Sequence, residues 1–302
     1  MGGIPLFLGA VFALVIWLPQ EASFEYKYLF GALSIMFVIG LRDDLIPLKP
    51  IYKLLSQLIP ALMVIYLCEI RLDSFYEIFD WQFPEIFAWI ITVFVIIVIT
   101  NSINLIDGLD GLAGSISFII LSSLAVWFYL TGHFYFSFII FAFLGGIASF
   151  LWFNWQPSKI FMGDTGALLM GFFQACAIIL FINSNYNLEP GASFKFTSSI
   201  GTAVCILIIP LMDTLRVFII RVFQSKSPFT ADNNHIHHLL IKAGLDHGKS
   251  VVVLVVVNIA FLTLAILLKE YGTLLLISAA LLLSLAFIAV VYIASKAKSQ
   301  KT

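Results

Sequence analysis

Four stretches of the sequence hold nearly all of its unusual polar side chains. In the first, Asp43 and Asp44 are adjacent and are followed by Lys49, Lys53 and Gln57. Two neighbouring carboxylates repel each other unless a cation lies close, so the pair asks for Mg²⁺ or a basic side chain. Lys53 and Gln57 are four residues apart and share one helix face. The second stretch is Asn101-Ser102-Ile103-Asn104-Leu105-Ile106-Asp107-Gly108-Leu109-Asp110-Gly111. Each aspartate there precedes a glycine, which lets backbone N–H groups approach a ligand. It is unlike an EF-hand, which needs alternating oxygen ligands and a closing glutamate.

The third stretch runs from Asn154 to Gly166 and sets Asp164 between Gly163 and Thr165-Gly166, at the entrance of an apolar run. A carboxylate so placed can hold a metal while the helix N-terminus faces phosphate. Phe161, just ahead of it, could stack on a nucleobase. The fourth runs from Pro210 through Asp213, Arg216 and Arg221 to Asp232-Asn233-Asn234-His235-Ile236-His237-His238. Three histidines in four residues invite a zinc reading, but partners at zinc spacing and a HExxH helix are absent from the sequence. Contact with phosphate or sugar is therefore favoured.

These stretches lie between apolar runs that only a bilayer explains. Of 302 residues, 61% are hydrophobic and 11% charged, whereas soluble domains carry about 25% charged residues. That balance excludes a soluble globular enzyme and a disordered chain, and a net charge of −1 offers no basic patch to nucleic acid. A spanning helix needs roughly 20 mostly apolar residues. Ten runs qualify, near 2–18, 28–41, 52–68, 86–104, 113–131, 134–153, 165–182, 197–220, 250–268 and 272–294. The expected fold is thus an all-α, polytopic integral membrane protein of about ten transmembrane helices, forming one membrane-embedded domain over residues 1–302. Met1-Gly2-Gly3-Ile4-Pro5 has no basic residue ahead of the first apolar run, so that run reads as a span rather than a signal peptide.

If the spans alternate, twelve Lys and Arg residues fall on one face (Arg42, Lys53, Lys226, Lys301 and others) and four on the other, Lys27, Arg71, Lys195 and Lys269. The basic face is expected to be cytoplasmic, with both chain ends there. The same face holds eight aspartates and no glutamate, whereas all seven glutamates, with Asp73 and Asp80, lie on the other. Short carboxylates gathered at helix ends suggest a metal or phosphate site, though aspartate is also a good helix cap. Cys68, Cys176 and Cys205 have no pairing pattern and read as small core residues.

Taken in order, Asp43-Asp44, Asn104 to Ala113, Asn154 to Gly166 and His235-Ile236-His237-His238 resemble the polyprenyl-phosphate N-acetylhexosamine-1-phosphate transferases. The resemblance implies a multi-span enzyme of the bacterial inner membrane with its active site facing the cytoplasm. Such an enzyme moves a sugar 1-phosphate from a UDP-sugar to undecaprenyl phosphate, releases UMP and uses Mg²⁺, with Mn²⁺ as an alternative occupant. Carried over by residue, it implies catalytic roles for Asp43, Asp44, Asp107, Asp110, His237 and His238, Asp43 as a base toward the acceptor, and Asp164 and Asp44 as metal ligands. It implies that Gly108, Leu109 and Phe161 lie around the uridine, with Lys53, Asn104, Asn154 and His235 also on substrate. His-Ile-His-His followed by Leu239-Leu240 looks like the branch that uses UDP-N-acetylglucosamine and starts a cell-envelope polysaccharide such as O-antigen. The muramoyl-pentapeptide branch is the alternative donor class. Family members usually carry one more span and a basic loop ahead of the Met-Gly-Gly-Ile-Pro stretch, so a longer form with that span is expected.

The chemistry suits the residue types independently of the family. Attack of one phosphate on another's anhydride gathers negative charge, which Mg²⁺ on aspartates and nearby Lys and Arg offset. A transporter with intramembrane aspartates is the rival class, but the Asp-bearing segments show no internal repeat. Expected partners are the two substrates and the bilayer, no nucleic acid, and, as an open alternative, a second copy of the chain.

Overall fold

The computed structural model describes residues 1–79, 81–224 and 235–299. Asp80, Lys226, Asp232, Asn233, Asn234 and Lys301, all used above, lie outside the described residues. Among the described residues thirteen helices follow one another: α1 (Gly3–Trp17), α2 (Gln20–Glu25), α3 (Lys27–Leu45), α4 (Pro50–Leu67), α5 (Glu85–Leu105), α6 (Leu112–Leu130), α7 (Phe134–Asn154), α8 (Gly163–Asn187), α9 (Ser199–Ile206), α10 (Ile208–Phe223), α11 (Ile236–Lys242), α12 (His247–Leu267) and α13 (Thr273–Ser299). Among the described residues the only β-pairing is an isolated bridge, Ser74 to Gln82. An all-helical architecture satisfies every backbone group internally, as lipid demands.

Nine of the ten expected runs correspond each to one helix and the run at 197–220 to two, and the count of ten is not reached by length and composition. Among the described residues seven helices are long and apolar enough to cross a membrane, and eight if α9 and α10 count as one span bent by 80°. The run at 197–220 is therefore broken, not continuous. Helix α1, with 15 residues, is about 22 Å long and falls short of a hydrocarbon core of about 30 Å. Helix α3 is longer than the 28–41 expected, because Arg42, Asp43 and Asp44 form its last turn instead of a loop.

Helix α8 is the axis of the bundle: 94% of its most apolar window is buried inside the protein, against 22% for α13. Close approach to it rests on glycines. A Cβ on Gly40 of α3 would lie 2.6 Å from Asp164 O, one on Gly3 of α1 2.3 Å from Gly166 N, and one on Gly171 2.6 Å from Thr100 O of α5. In a bilayer, where lipid competes equally for apolar surface, such small-residue contacts let helix backbones pack directly. The start of α1 is fastened to the same place, since Gly2 N donates to Phe161 O and Gly3 N to Met162 O. Those bonds satisfy amides that a helix start would otherwise leave unpaired.

Following the chain from that fastening, the C-termini of α3, α5, α7 and α10 and the N-termini of α1, α4, α6, α8 and α12 share one end of the bundle. The described parts of all four chemically unusual stretches meet there.

Candidate active site

The N-terminus of α8 is the centre of the site. Asp44, at the end of α3, accepts from Asp164 N at 2.8 Å and Thr165 N at 3.0 Å, and from the Thr165 hydroxyl. A carboxylate thus caps α8 from a different helix, which complements the positive end of its dipole. Gly163 is needed for this grip: its φ is +71°, and a Cβ there would lie 2.6 Å from Asp44 Oδ2. Next in sequence, Asp43 is 6% exposed and is bound on both oxygens, by Leu48 N at 2.6 Å and Lys53 Nζ at 2.9 Å.

Lys53, on the first turns of α4, is the cation the paired carboxylates ask for. Its ammonium bonds to Asp43, to Asp164 and, at 3.3 Å, to Asn104 Oδ1. Asn104 at the end of α5 in turn donates to Asp164 Oδ1 at 2.8 Å. One turn deeper, Asn101 donates to Gln57 Oε1 at 2.9 Å. Because α4 and α5 run antiparallel, Lys53 with Asn104 and Gln57 with Asn101 form two rungs of one polar ladder.

The turn after α5 carries Asp107, Gly108, Leu109 and Asp110. Its fold depends on Asn154, which is 4% exposed. That side chain accepts from Gly111 N at 2.8 Å and donates to Ile160 O at 2.8 Å, tying two loops to the end of α7. Asn154 therefore spends its amide on backbone. Leu109 packs into the core, leaving Gly108 as the exposed residue of the turn. Asp110 accepts weakly from Ser158 N at 3.3 Å. Phe161 is 68% exposed beside the α8 entrance, open to a stacking partner.

The histidine run closes the site from the other side. His235 and Ile236 N are both held by Asp213 of α10, at 2.8 Å and 2.7 Å. The rings of His235 and His237 stack at 5.6 Å and 5°, and His237 lies 4.3 Å from His238. His237 covers the aspartate turn, since a Cβ on Gly108 would be 2.6 Å from its Nε2. Burial, then the neighbouring His238, pushes its imidazole down to about 4. Neither ring nitrogen of His237 has a partner among the described residues.

Asp43, Asp44, Lys53, Asn104, Asp107, Asp110, Asp164, His235, His237 and His238 thus come together from six helices or their connecting turns. Burial, then the facing carboxylates of Asp164, Asp44 and Asp110, pushes the Asp107 carboxyl up to about 7. Both effects disfavour the ionised form, burial more than the neighbouring carboxylates. Among the described residues no three His, Cys, Asp or Glu side chains form a closed metal cage. Mg²⁺ needs none, because it keeps waters and completes its shell with substrate phosphates around one or two carboxylates. The donor set fits such an ion, with Asp164 and Asp107 as the carboxylates not committed to capping.

Sequence reasoning missed the glycine contacts. The signal was present: Gly40 and Asp44 are four apart and so share a face, and a small residue beside a capping carboxylate marks a close helix crossing. The Asp44 cap was not separable from a metal role, since its partners are 120 residues away.

Comparison with known proteins follows this geometry. The pattern of glycosyl transferase family 4 matches residues 26–182, which contain Asp43 through Asp164. The chain is 34% identical over 272 residues to a probable undecaprenyl-phosphate N-acetylglucosaminyl 1-phosphate transferase of Bacillus subtilis, covering 89% of this chain and 73% of that protein. It is 28% identical to an undecaprenyl-phosphate alpha-N-acetylglucosaminyl 1-phosphate transferase of Yersinia pestis (84% and 68% covered) and 26% identical to that of Escherichia coli K12 (90% and 72%). With the acidic centre at the head of α8, the helical membrane architecture and this extent of similarity, the chain belongs to glycosyl transferase family 4.

Proposed function

We propose that this protein transfers N-acetylglucosamine 1-phosphate from a UDP-sugar to undecaprenyl phosphate, releasing UMP, at the cytoplasmic face of a bacterial plasma membrane. The observation that carries the reading is the convergence of Asp164, Asp44, Asp43, Asp107 and Lys53 on one end of a membrane-embedded bundle. With the ten expected spans alternating, twelve Lys and Arg residues of the sequence fall on one face against four on the other, and that bias supports orienting the site toward the cytoplasm. The product is a lipid-linked sugar on which a cell-envelope polymer can be built.

Asp164 and Asp107 are the residues that would hold Mg²⁺, and the ion would offset charge on the reacting phosphates. The protein's own groups do the positioning. Lys53 is fixed by Asp43 and Asn104 and presents its ammonium to incoming phosphate. Asp44 pins the first turn of α8 and so fixes where Asp164 projects into the same space. A phosphate monoester ionises with a second pKa of about 6, so the acceptor is already mostly a nucleophilic dianion at neutral pH. Asp43, bound on both oxygens, accordingly serves by orienting Lys53 rather than by taking a proton. Phe161 offers a face to the uracil ring, and the histidine run covers the donor. The exchange breaks one phosphoanhydride and makes another, so positioning and electrostatics account for most of the catalysis.

The test is a donor-by-acceptor screen on purified protein in detergent, reading UMP release. UDP-N-acetylglucosamine with undecaprenyl phosphate is expected to be the productive pair, and Asp164→Asn to abolish turnover in a folded protein. Faster turnover with UDP-N-acetylmuramoyl-pentapeptide would move the protein to the other donor class, and no release with either donor would refute the transferase reading.

A further inference from the structure

The broken span carries a buried carboxylate that ties α10 to the histidine run. Asp213, on α10 just past the 80° bend, is 1% exposed. Its Oδ2 faces His235 Nδ1 at 2.8 Å, and its Oδ1 accepts from Ile236 N at 2.7 Å and from Arg216 at 3.2 Å. An ionised carboxylate can only accept, so the proton of that His235 contact sits on Nδ1, which fixes the tautomer and the plane of the ring. His235 is itself 6% exposed, and its ring is the first of the stack that passes through His237 to the Gly108 turn.

We infer that Asp213 is a positioning residue of the reaction: it sets the tautomer and orientation of His235 and, through the stack, the placement of His237 over the Asp107 to Asp110 turn. Three features support a role beyond folding. A buried carboxylate is costly in a bilayer protein unless it is fully paired. This one is paired to a histidine, a main-chain amide and an arginine, all on the side of the candidate site. An apolar residue would join α10 to α11 at lower cost but could not choose between the two ring nitrogens.

The inference rests on the transferase reading for its kinetic arm only. Asp213→Asn is nearly isosteric and keeps one oxygen for Ile236 N, but it turns an NH₂ toward His235 Nδ1. The amide then donates where the carboxylate accepted, and the ring proton is expected to move to Nε2. With ¹⁵N-histidine protein in proteoliposomes, nitrogen NMR should show His235 protonated on Nδ1 in the parent and on Nε2 in Asp213→Asn, the signal being assigned by its loss in His235→Gln. Turnover of Asp213→Asn should fall about ten- to a hundredfold, the loss expected for one hydrogen bond to a charged group, with KM for the nucleotide sugar changed less than kcat.

The decisive measurement is the double variant. If Asp213 acts through His235, Asp213→Asn with His235→Gln should be no more than about threefold worse than His235→Gln alone. Losses that multiply, or an unchanged tautomer in Asp213→Asn, would overturn the proposal. If the parent protein releases no UMP from any donor, the transferase reading fails, and the NMR arm still decides whether Asp213 sets the His235 tautomer. Comparable thermal midpoints and size-exclusion profiles identify folded variants. Should Asp213→Asn not fold, the parent NMR signal decides, and an Nε2-protonated His235 there would overturn the proposal.

Discussion

Lys53→Met removes the ammonium at the centre of the acidic cluster while keeping a stem of similar length. The side chains of Lys53 and Asp43 are 16% and 6% exposed and that of Asp164 is 31% exposed. Breaking a fully buried ion pair by removing one partner costs about 3 to 5 kcal/mol. Partial hydration of Lys53 and Asp164 screens the pair, so a loss of about 2 to 4 kcal/mol is expected here. The assay is thermal unfolding in detergent followed by tryptophan fluorescence, with and without Mg²⁺. The midpoint of the variant should drop by several degrees in the metal-free buffer, and added Mg²⁺ should recover part of the loss. The recovery should exceed the gain in the parent, because the cluster has then lost its only close cation among the described residues. UMP release should fall at least a hundredfold, since Lys53 also presents charge to phosphate. An unchanged metal-free midpoint would refute the ion-pair reasoning. No Mg²⁺ response in either protein would refute the assignment of a divalent ion to these aspartates.

Gly40→Ala puts a methyl 2.6 Å from Asp164 O and Thr165 Cα, both backbone atoms that cannot swing aside. Overpacking of this kind costs about 1 to 3 kcal/mol, and displacement of Asp164 should lower turnover more than the thermal midpoint alone would suggest; parent-like values in both assays would refute the close crossing. Asn154→Ala removes the bonds to Gly111 N and Ile160 O, leaving the buried Gly111 amide unpaired at about 1 to 3 kcal/mol. That variant should unfold at lower temperature and show faster hydrogen exchange at Gly111, whereas loss of activity with native stability and exchange would return Asn154 to direct substrate contact.

The membrane class and the helices were legible in the sequence because they follow from local quantities. Apolar runs of span length and the scarcity of charge within them need no knowledge of distant contacts. The residues able to do chemistry were legible for a related reason: carboxylates, asparagines and histidines next to hydrocarbon are costly, so their positions alone single them out. What the sequence could not divide among them was labour. Asp43 and Asp44 are neighbours in the chain, yet one orients Lys53 and the other caps α8. Asn154 matched a phosphate contact by position but is consumed by two loops. The run at 197–220 looked continuous, and its 80° bend is what brings Asp213 to the histidines. Each of these outcomes depends on partners that only packing supplies, from 22 residues away for Asp213 and His235 to 120 for Asp44 and Asp164. Hydropathy and spacing act along the chain, whereas a hydrogen bond is decided by a few ångströms across it, and in this bundle those ångströms are set by glycines that let α1, α3 and α5 close on α8.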